Sequence, residues 1–395
     1  MKKLLSLSMA AILAATTLVG CSSSSTTGST SADSSSANSS GSAEVSEATE
    51  KFIIGGLGPV TGGAASYGLS VKQGAEIAIK EINEAGGVTI GNTTYEFVLE
   101  FADDEADPDK AIPAYNSLMD KGIHVLMGAV TSDASIAISD LTNEDGILQI
   151  TPSGSAIDCI KYPNQFRLCF TDPLQGITLA DYIADELNLT KVAIIYNNSN
   201  EYSTGVKDAF LKQAEVKGLE IVAEEAFVKG DIEYSTQLTS IKSTEAEIIV
   251  APIYYEEASY ILQQSSDLDI NIPFIGSDGW DGILNQLTDV SDAEGAIFLS
   301  PFLASDESAK DFVAAYEAVY GVTPDQFAAN GYDTIQVFKL AMEDAGSIES
   351  EALIASMTNV ELQGLTGDIT FNENGEPNKG AKFVLIRDGQ YTSAN

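Results

Sequence analysis

Ile147-Leu148-Gln149-Ile150-Thr151-Pro152-Ser153-Gly154-Ser155 is the stretch from which the fold of this chain can be read. Its apolar front half, Ile147 to Ile150, has the length of a buried parallel strand. Pro152 has no N–H with which to continue a ladder, so the strand must stop there. Beyond it lie Ser153, Gly154 and Ser155, two hydroxyls on a turn at the carboxyl end of a strand. By itself this is also how an ordinary Pro-Ser-Gly turn reads. In an open α/β sheet, however, that end of the strand is where ligands bind.

The same alternation extends in both directions. Upstream, Phe52-Ile53-Ile54 reads as a strand, followed by a glycine-rich turn through Gly62-Gly63 and a helix face at Val71, Ala75, Ala78 and Ile82. Tyr95, Phe97, Leu99 and Phe101 alternate as a second strand. Asp107-Pro108 supplies an N-cap and first-turn pair for a helix that Gly122 closes. Val125 to Met127 is a third strand, and Thr131-Ser132-Asp133 opens the next helix. Downstream the series restarts at Val192 to Tyr196 with a helix marked by Val206, Phe210 and Ala214. Further strands follow at Leu219 to Val222, Ile248 to Val250 and Phe274-Ile275. Long helical stretches at 306–320 and 326–345 precede strands near Ile369 and at Phe383 to Ile386. Two successive β-α series predict an α/β protein with two doubly wound, mostly parallel sheets.

Composition narrows the function. The chain has 395 residues, enough for two domains, and 58 acidic against 20 basic residues give a formal charge of −38. That field repels phosphate backbones and anionic lipid surfaces, so no nucleic-acid partner is expected. The single histidine, His124, sits inside the apolar run Ile123 to Met127 and reads as a core or edge residue rather than a metal ligand. Gly56-Leu57-Gly58 with Gly62 superficially resembles a dinucleotide fingerprint, but the last glycine falls one residue late and Pro59 occupies the turn. Neither cofactor nor metal is expected. No base stands beside any candidate nucleophile, which argues against an enzyme.

The first twenty residues have a short basic start (Lys2, Lys3) and an apolar run from Leu4, the pattern of a signal peptide. Leu18-Val19-Gly20-Cys21 resembles the bacterial lipobox, which implies a lipid on Cys21 and an extracytoplasmic location at the cell membrane. Residues 22–50 are Ser-, Thr-, Ala- and Gly-rich and read, with Cys21, as a tether over 21–50. Cys159 and Cys169 would then lie where disulfides persist, and both a bridge and two buried thiols fit their spacing.

Gly58-Pro59-Val60-Thr61-Gly62 leading to Tyr67-Gly68 resembles the start of the branched-chain amino-acid-binding family, type I solute-binding proteins of ABC importers. The resemblance continues through Glu81-Ile82-Asn83-Glu84-Ala85-Gly86-Gly87-Val88, Asp103-Asp104 with Asp107-Pro108, Ile150-Thr151-Pro152, Phe166-Arg167, Gln175-Gly176 and Gly331-Tyr332-Asp333. It implies two Rossmann-like lobes joined by three crossovers, at 170–172, 300–302 and 362–364. The first lobe would be 51–170 plus 302–362 and the second 171–301 plus 363–395. It further implies that Ser132, Ser153 and Ser155 hold the ligand carboxylate, with Tyr67 as an aromatic wall. Tyr202, Tyr254 and Asp278 of the second lobe would complete the site, Asp278 pairing the ammonium, with Tyr332 as an added contact. Asp278 stands where the family has a longer glutamate, and Thr131 replaces a family cysteine. The implied function is capture of a small amino acid, branched-chain or aliphatic, by a monomer that delivers it to an ABC permease and its ATPase. Relatives that bind amides, urea or aromatic acids keep those ligands open, as does a sensory role for a separate receptor.

Overall fold

The computed structural model of the protein describes residues 48–394; the predicted signal peptide, Cys21 and most of the predicted tether lie outside them. The expected two doubly wound sheets are present. The first has strand order β2-β3-β1-β4-β5-β6, with β1 at Ala48–Gly58, β2 at Val88–Ile90, β3 at Thr93–Asp103, β4 at Val125–Gly128, β5 at Leu148–Thr151 and β6 at Gln165–Arg167. All its pairings are parallel except that of the short β2 with β3. β1 begins at Ala48, which pairs with Thr93, so the last three residues assigned to the tether belong to the sheet.

The second sheet has order β15-β14-β11-β10-β9-β7-β8, built from β7 (Lys191–Asn197), β8 (Glu220–Phe227), β9 (Ile248–Ala251), β10 (Phe274–Gly276), β11 (Ile297–Ser300), β14 (Lys382–Arg387) and β15 (Gln390–Ser393). β14 and β15 are antiparallel additions to a parallel core. In each sheet the strand order reverses once, between β1 and β4 and between β7 and β9. Those switch points are where connections leave in opposite directions and open a crevice.

The helices follow from the sequence signals. Asp107 caps α2 (Pro108–Asp120) by accepting from the N–H groups of Asp109 and Lys110, the pairing expected of Asp-Pro at a helix start. α3 (Ser132–Glu144) starts after Thr131, and α4 (Asp172–Asp181) after Thr171. α5 (Glu201–Lys217), α6 (Ser235–Lys242) and α7 (Tyr255–Asp267) serve the second sheet. α8 (Lys310–Tyr320), α9 (Gln326–Ala345) and α10 (Ser350–Ser356) return to the first lobe, where α9 packs along α1 (Ala65–Glu84). Two glycines permit that approach. A Cβ on Gly74 would sit 1.8 Å from the Ala328 carbonyl oxygen, and one on Gly331 would sit 2.1 Å from that of Val71, so the backbones of α1 and α9 touch. The amino-terminal turns of both helices are thereby brought to the crevice.

After α10 a small hairpin, β12 (Leu362–Gly364) and β13 (Gly367–Ile369), leads the chain along the first sheet. Asp333 accepts hydrogen bonds from Leu365 N–H, Thr366 N–H and the Thr366 hydroxyl. Phe371 packs edge-on against Phe166 before the chain enters β14. His124 is half-buried, stacked on Phe52, and its Nδ1 accepts from Ile53 N–H at 2.9 Å. Cys159 and Cys169 are two buried, unbridged thiols. Among the described residues no helix is long and apolar enough to cross a membrane.

Candidate functional site

The carboxyl ends of β4 and β5 carry one wall of a small pocket, and those of β7, β9 and β10 carry the other. Its lining includes Tyr67, Thr131, Ser132, Ser153, Tyr202, Tyr254, Asp278, Gly279 and Phe327. The hydroxyl wall is locked through the backbone. Ser132 Oγ accepts from the N–H groups of both Ser155 and Ala156 at 3.2 Å, so its own proton remains available to a ligand. Those two N–H groups are therefore already used. The free donors are instead at the start of α3, whose first turn has no intrahelical acceptors and whose dipole favours negative charge. Ser153 donates to the Val130 carbonyl at 2.6 Å. Ser155 is 1% exposed and its hydroxyl lies beside the Asp172 carboxylate without a full hydrogen bond.

The turn itself is clamped from behind by Arg167, which is fully buried. Its guanidinium donates to the carbonyls of Gly154, Ala156 and Ile157 at 3.1, 2.9 and 3.1 Å, and its Nε lies 2.8 Å from Glu376. One planar cation thus fixes three peptide carbonyls of the loop that presents Ser155.

The opposite wall is held by side chains. The Tyr202 hydroxyl donates to Asp278 Oδ1 at 2.6 Å and accepts from Gly279 N–H at 2.9 Å. Its contact with Ser277 Oγ must then run from the serine, since the phenol has a single proton. Gln175 accepts from Asp278 N–H, and Gln326 donates to the Asp278 carbonyl. Burial raises Asp278 to about 6, against which the bonds from Tyr202 and Gln175 pull down. Tyr254 stacks on Tyr202 with ring centroids 5.1 Å apart and meets Tyr67 edge-on at 5.3 Å.

The two walls are joined across the crevice. The Tyr67 hydroxyl donates to the Gly279 carbonyl at 2.5 Å and accepts from Tyr255 N–H at 3.0 Å. Asp133, at the start of α3, accepts from Asn200 Nδ2 and Glu201 N–H at the start of α5. The enclosed space is only about 10 Å³, room for about one water, so an organic ligand enters only if the aromatic walls part.

Six of the eight residues expected at the site line this pocket: Tyr67, Ser132, Ser153, Tyr202, Tyr254 and Asp278. Ser155 lies behind the lining. Tyr332 is not brought there. It sits on the outer side of α9, donating to Glu81 and packed edge-on against Phe312. Phe327, five positions earlier, takes the place at the crevice, with its ring 4.3 Å from that of Tyr67. Five residues of helix turn through about 140°, so the two cannot share a face. Asp172 was also missed. It is 1% exposed at the first turn of α4, neither carboxylate oxygen has a hydrogen-bond partner, and Gly205 leaves the space it occupies. Burial, and then the charge of Asp278, push its carboxyl well above the usual range. Two buried acids therefore approach the pocket with no cation beside Asp278. A roomier cavity of about 560 Å³ has a different lining; converging hydroxyls and carboxylates, rather than volume, single out the small pocket as the candidate ligand site.

A family model described as a periplasmic binding protein matches residues 52–390. The chain belongs to the periplasmic binding proteins. Within them it is of the branched-chain amino-acid, type I kind. It is 32% identical over 327 residues to the Leu/Ile/Val-binding protein BraC3 of Rhizobium johnstonii, covering 82% of this chain and 88% of that one. It is 30% identical to Leu/Ile/Val-binding protein homolog 3 of Brucella melitensis, covering 84% and 90%. Among solved structures, the branched-chain amino acid transporter substrate-binding protein LivJ of Streptococcus pneumoniae, in complex with isoleucine, superposes with a TM-score of 0.81 at 28% identity, over 87% of this chain and 98% of that one. A Rhodopseudomonas palustris solute-binding protein in complex with benzoate shares the fold at 22% identity, with a TM-score of 0.78 over 88% and 96%. Periplasmic binding proteins are solute-binding proteins of the extracytoplasmic space, not enzymes.

Proposed function

We propose that this periplasmic binding protein captures a small aliphatic amino acid, branched-chain by preference, as its zwitterion between the two lobes and delivers it to an ABC importer. The observation that carries the reading is polarity across the pocket. Ser132 and the free N–H groups of α3 face one side, and the Tyr202-held Asp278 faces the other. A carboxylate belongs against the first and an ammonium against the second. Tyr67, Tyr202, Tyr254 and Phe327 supply walls for an apolar side chain. Asp278, buried in the lining with no cation beside it among the described residues, disfavours a ligand that is only a carboxylate, such as the aromatic acid bound by the R. palustris neighbour. An amide or urea would leave that acid without a cation, and sensing for a separate receptor would use the same closed surface. We further propose that the protein works as a monomer held at the membrane by a lipid on Cys21, with lobe boundaries near 170–172 and 300–302; the third crossover, expected at 362–364, falls later, since Phe371 and Glu376 still pack on Phe166 and Arg167 of the first lobe.

A thermal-shift screen on residues 22–395, stripped of bound ligand by unfolding and refolding, tests the reading. A ligand at about a hundred times its dissociation constant adds roughly 2.7 kcal/mol of stability, several degrees for lobes of this size. Leucine, isoleucine or valine is expected to shift the melt. A response to benzoate, amides or urea with none to any amino acid would overturn it.

A further inference from the structure

The cavity of about 560 Å³ lies between elements of both lobes and shares no lining residue with the amino-acid pocket, which it adjoins through Asp281, whose N–H donates to the Asp278 carbonyl. Its size falls in the range of small-molecule sites. One part of its wall is acidic: Asp281, from the loop after β10, and Asp325, the N-cap of α9. Asp281 accepts from Gln326 N–H at 3.0 Å, and Asp325 accepts from Ala328 N–H at 2.9 Å and Ser70 Oγ at 2.7 Å. Neither takes part in an ion pair among the described residues, and no lysine, arginine or histidine lines the cavity. Asp281 is 4% exposed. Burial and the charge of Asp325 both raise its carboxyl, and burial raises that of Asp325 as well. The remaining wall is largely hydrocarbon, from Leu284, Phe298, Phe302, Val313 and Val384.

We propose that this cavity is a second ligand site, separate from the amino-acid pocket, for a protonated amine carrying an apolar body. Asp281 is buried and Asp325 half-buried, and ionising both carboxylates without a counter-charge is costly. An ammonium supplies that charge and three donors, while the apolar wall accepts hydrocarbon or an aromatic ring. An anion is repelled by Asp281, Asp325 and Glu317. A metal ion finds no third ligand, since no group of three His, Cys, Asp or Glu among the described residues could hold one. A neutral apolar molecule leaves the acids unanswered. The proposal stands apart from the identity of the amino acid, because no residue of the small pocket lines this cavity.

The test is a thermal-shift and calorimetric titration of the full chain with phenethylammonium, with phenethyl alcohol as the neutral counterpart. The amine is expected to raise the melting temperature by several degrees at saturation, and the alcohol to leave it unchanged. The shift should persist in saturating isoleucine and in Asp278→Asn. It should be lost, with at least tenfold weaker binding, when Asp281→Asn and Asp325→Asn are combined; asparagine keeps an acceptor oxygen for the α9 cap. Should that pair fail to fold, Ala304→Phe, which fills the cavity without touching the acids, must abolish the shift. Equal shifts by amine and alcohol, no shift by the amine, or a shift lost in Asp278→Asn but kept in Ala304→Phe overturns the proposal. Because the Asp278→Asn arm reads the amino-acid pocket directly, failure here is distinguishable from failure of amino-acid binding.

Discussion

The two walls of the crevice solve one problem in opposite ways. On the first lobe the groups proposed for a ligand carboxylate are neutral, and their positions are set by main chain: Ser132 bonds two peptide N–H groups, and Arg167 grips three peptide carbonyls behind the turn. On the second lobe the group proposed for an ammonium is a carboxylate, and it is aimed by other side chains, Tyr202 and Gln175 on Asp278. A wall built on backbone is rigid and insensitive to pH. A wall built on buried carboxylates is responsive, because desolvation brings Asp278 to about 6. Damage to the first should therefore appear as lost stability, and damage to the second as lost affinity.

Arg167→Ala is the most severe way to break this contrast. It strands three carbonyls and leaves the half-buried Glu376 without its cation. Breaking such a buried pair costs about 3–5 kcal/mol, read as a large fall in the denaturant midpoint of the ligand-free protein. A loss below about 1 kcal/mol would show that the loop stands without its clamp.

On the other wall, Asp278→Ala should leave the unfolding midpoint nearly unchanged while reducing amino-acid affinity by about 2–5 kcal/mol, since it strands the ligand's buried ammonium. Calorimetry decides it: affinity within twofold of wild type would remove Asp278 from the site.

pH sharpens the comparison further. The Asp278 carboxyl is raised, so it carries its proton below about pH 6, and only the ionised form can pair an ammonium. Affinity should be level above pH 7 and fall below pH 6, approaching tenfold per unit. For the ligand-free protein the sign is reversed. The unfolded carboxyl titrates near 3.9, so between about pH 4 and 6 the folded form holds the extra proton. This group's contribution to stability therefore declines as pH rises through that window. Asp278→Asn should flatten both trends. Affinity independent of pH from 5 to 8 in the wild type would contradict the assignment.

The sequence made the first wall more legible than the second. The resemblance implied Ser132, Ser153 and Ser155, and the local pattern agrees with it, because Pro152 ends a short apolar run and Thr131-Ser132-Asp133 follows another, so strand ends and hydroxyls coincide. Arg167 could be noticed but not given a role, since Glu376 lies more than 200 positions away in the chain. Asp172 hid inside Thr171-Asp172-Pro173, which reads as an ordinary helix start; only the fold shows that its carboxylate is buried beside Ser155 rather than solvated. Tyr332 was expected at the crevice and Phe327 was not, for a rotational reason: the helix was evident, but which of its faces met the crevice depended on the close α1–α9 packing at Gly74 and Gly331. The larger cavity, assembled from five separate segments, left no local trace.

The contacts that join the walls provide the smallest and most specific test. Tyr67 is the residue of the first lobe whose hydroxyl bonds two backbone groups of the second, the Gly279 carbonyl and the Tyr255 N–H. Tyr67→Phe keeps the ring packed against Tyr254 and Phe327 and removes only the hydroxyl. In the parted form water can satisfy both backbone groups; in the closed form they are left unpaired. The substitution therefore penalises closure selectively, by about 1 kcal/mol, a roughly fivefold loss of affinity. Because the penalty falls on the closed form, it should appear as faster ligand dissociation with association nearly unchanged, measured by stopped-flow fluorescence of Trp280. A slower association with unaltered dissociation would mean that Tyr67 guides entry instead, and that closure is held elsewhere, by Asp133 against Asn200 and Glu201.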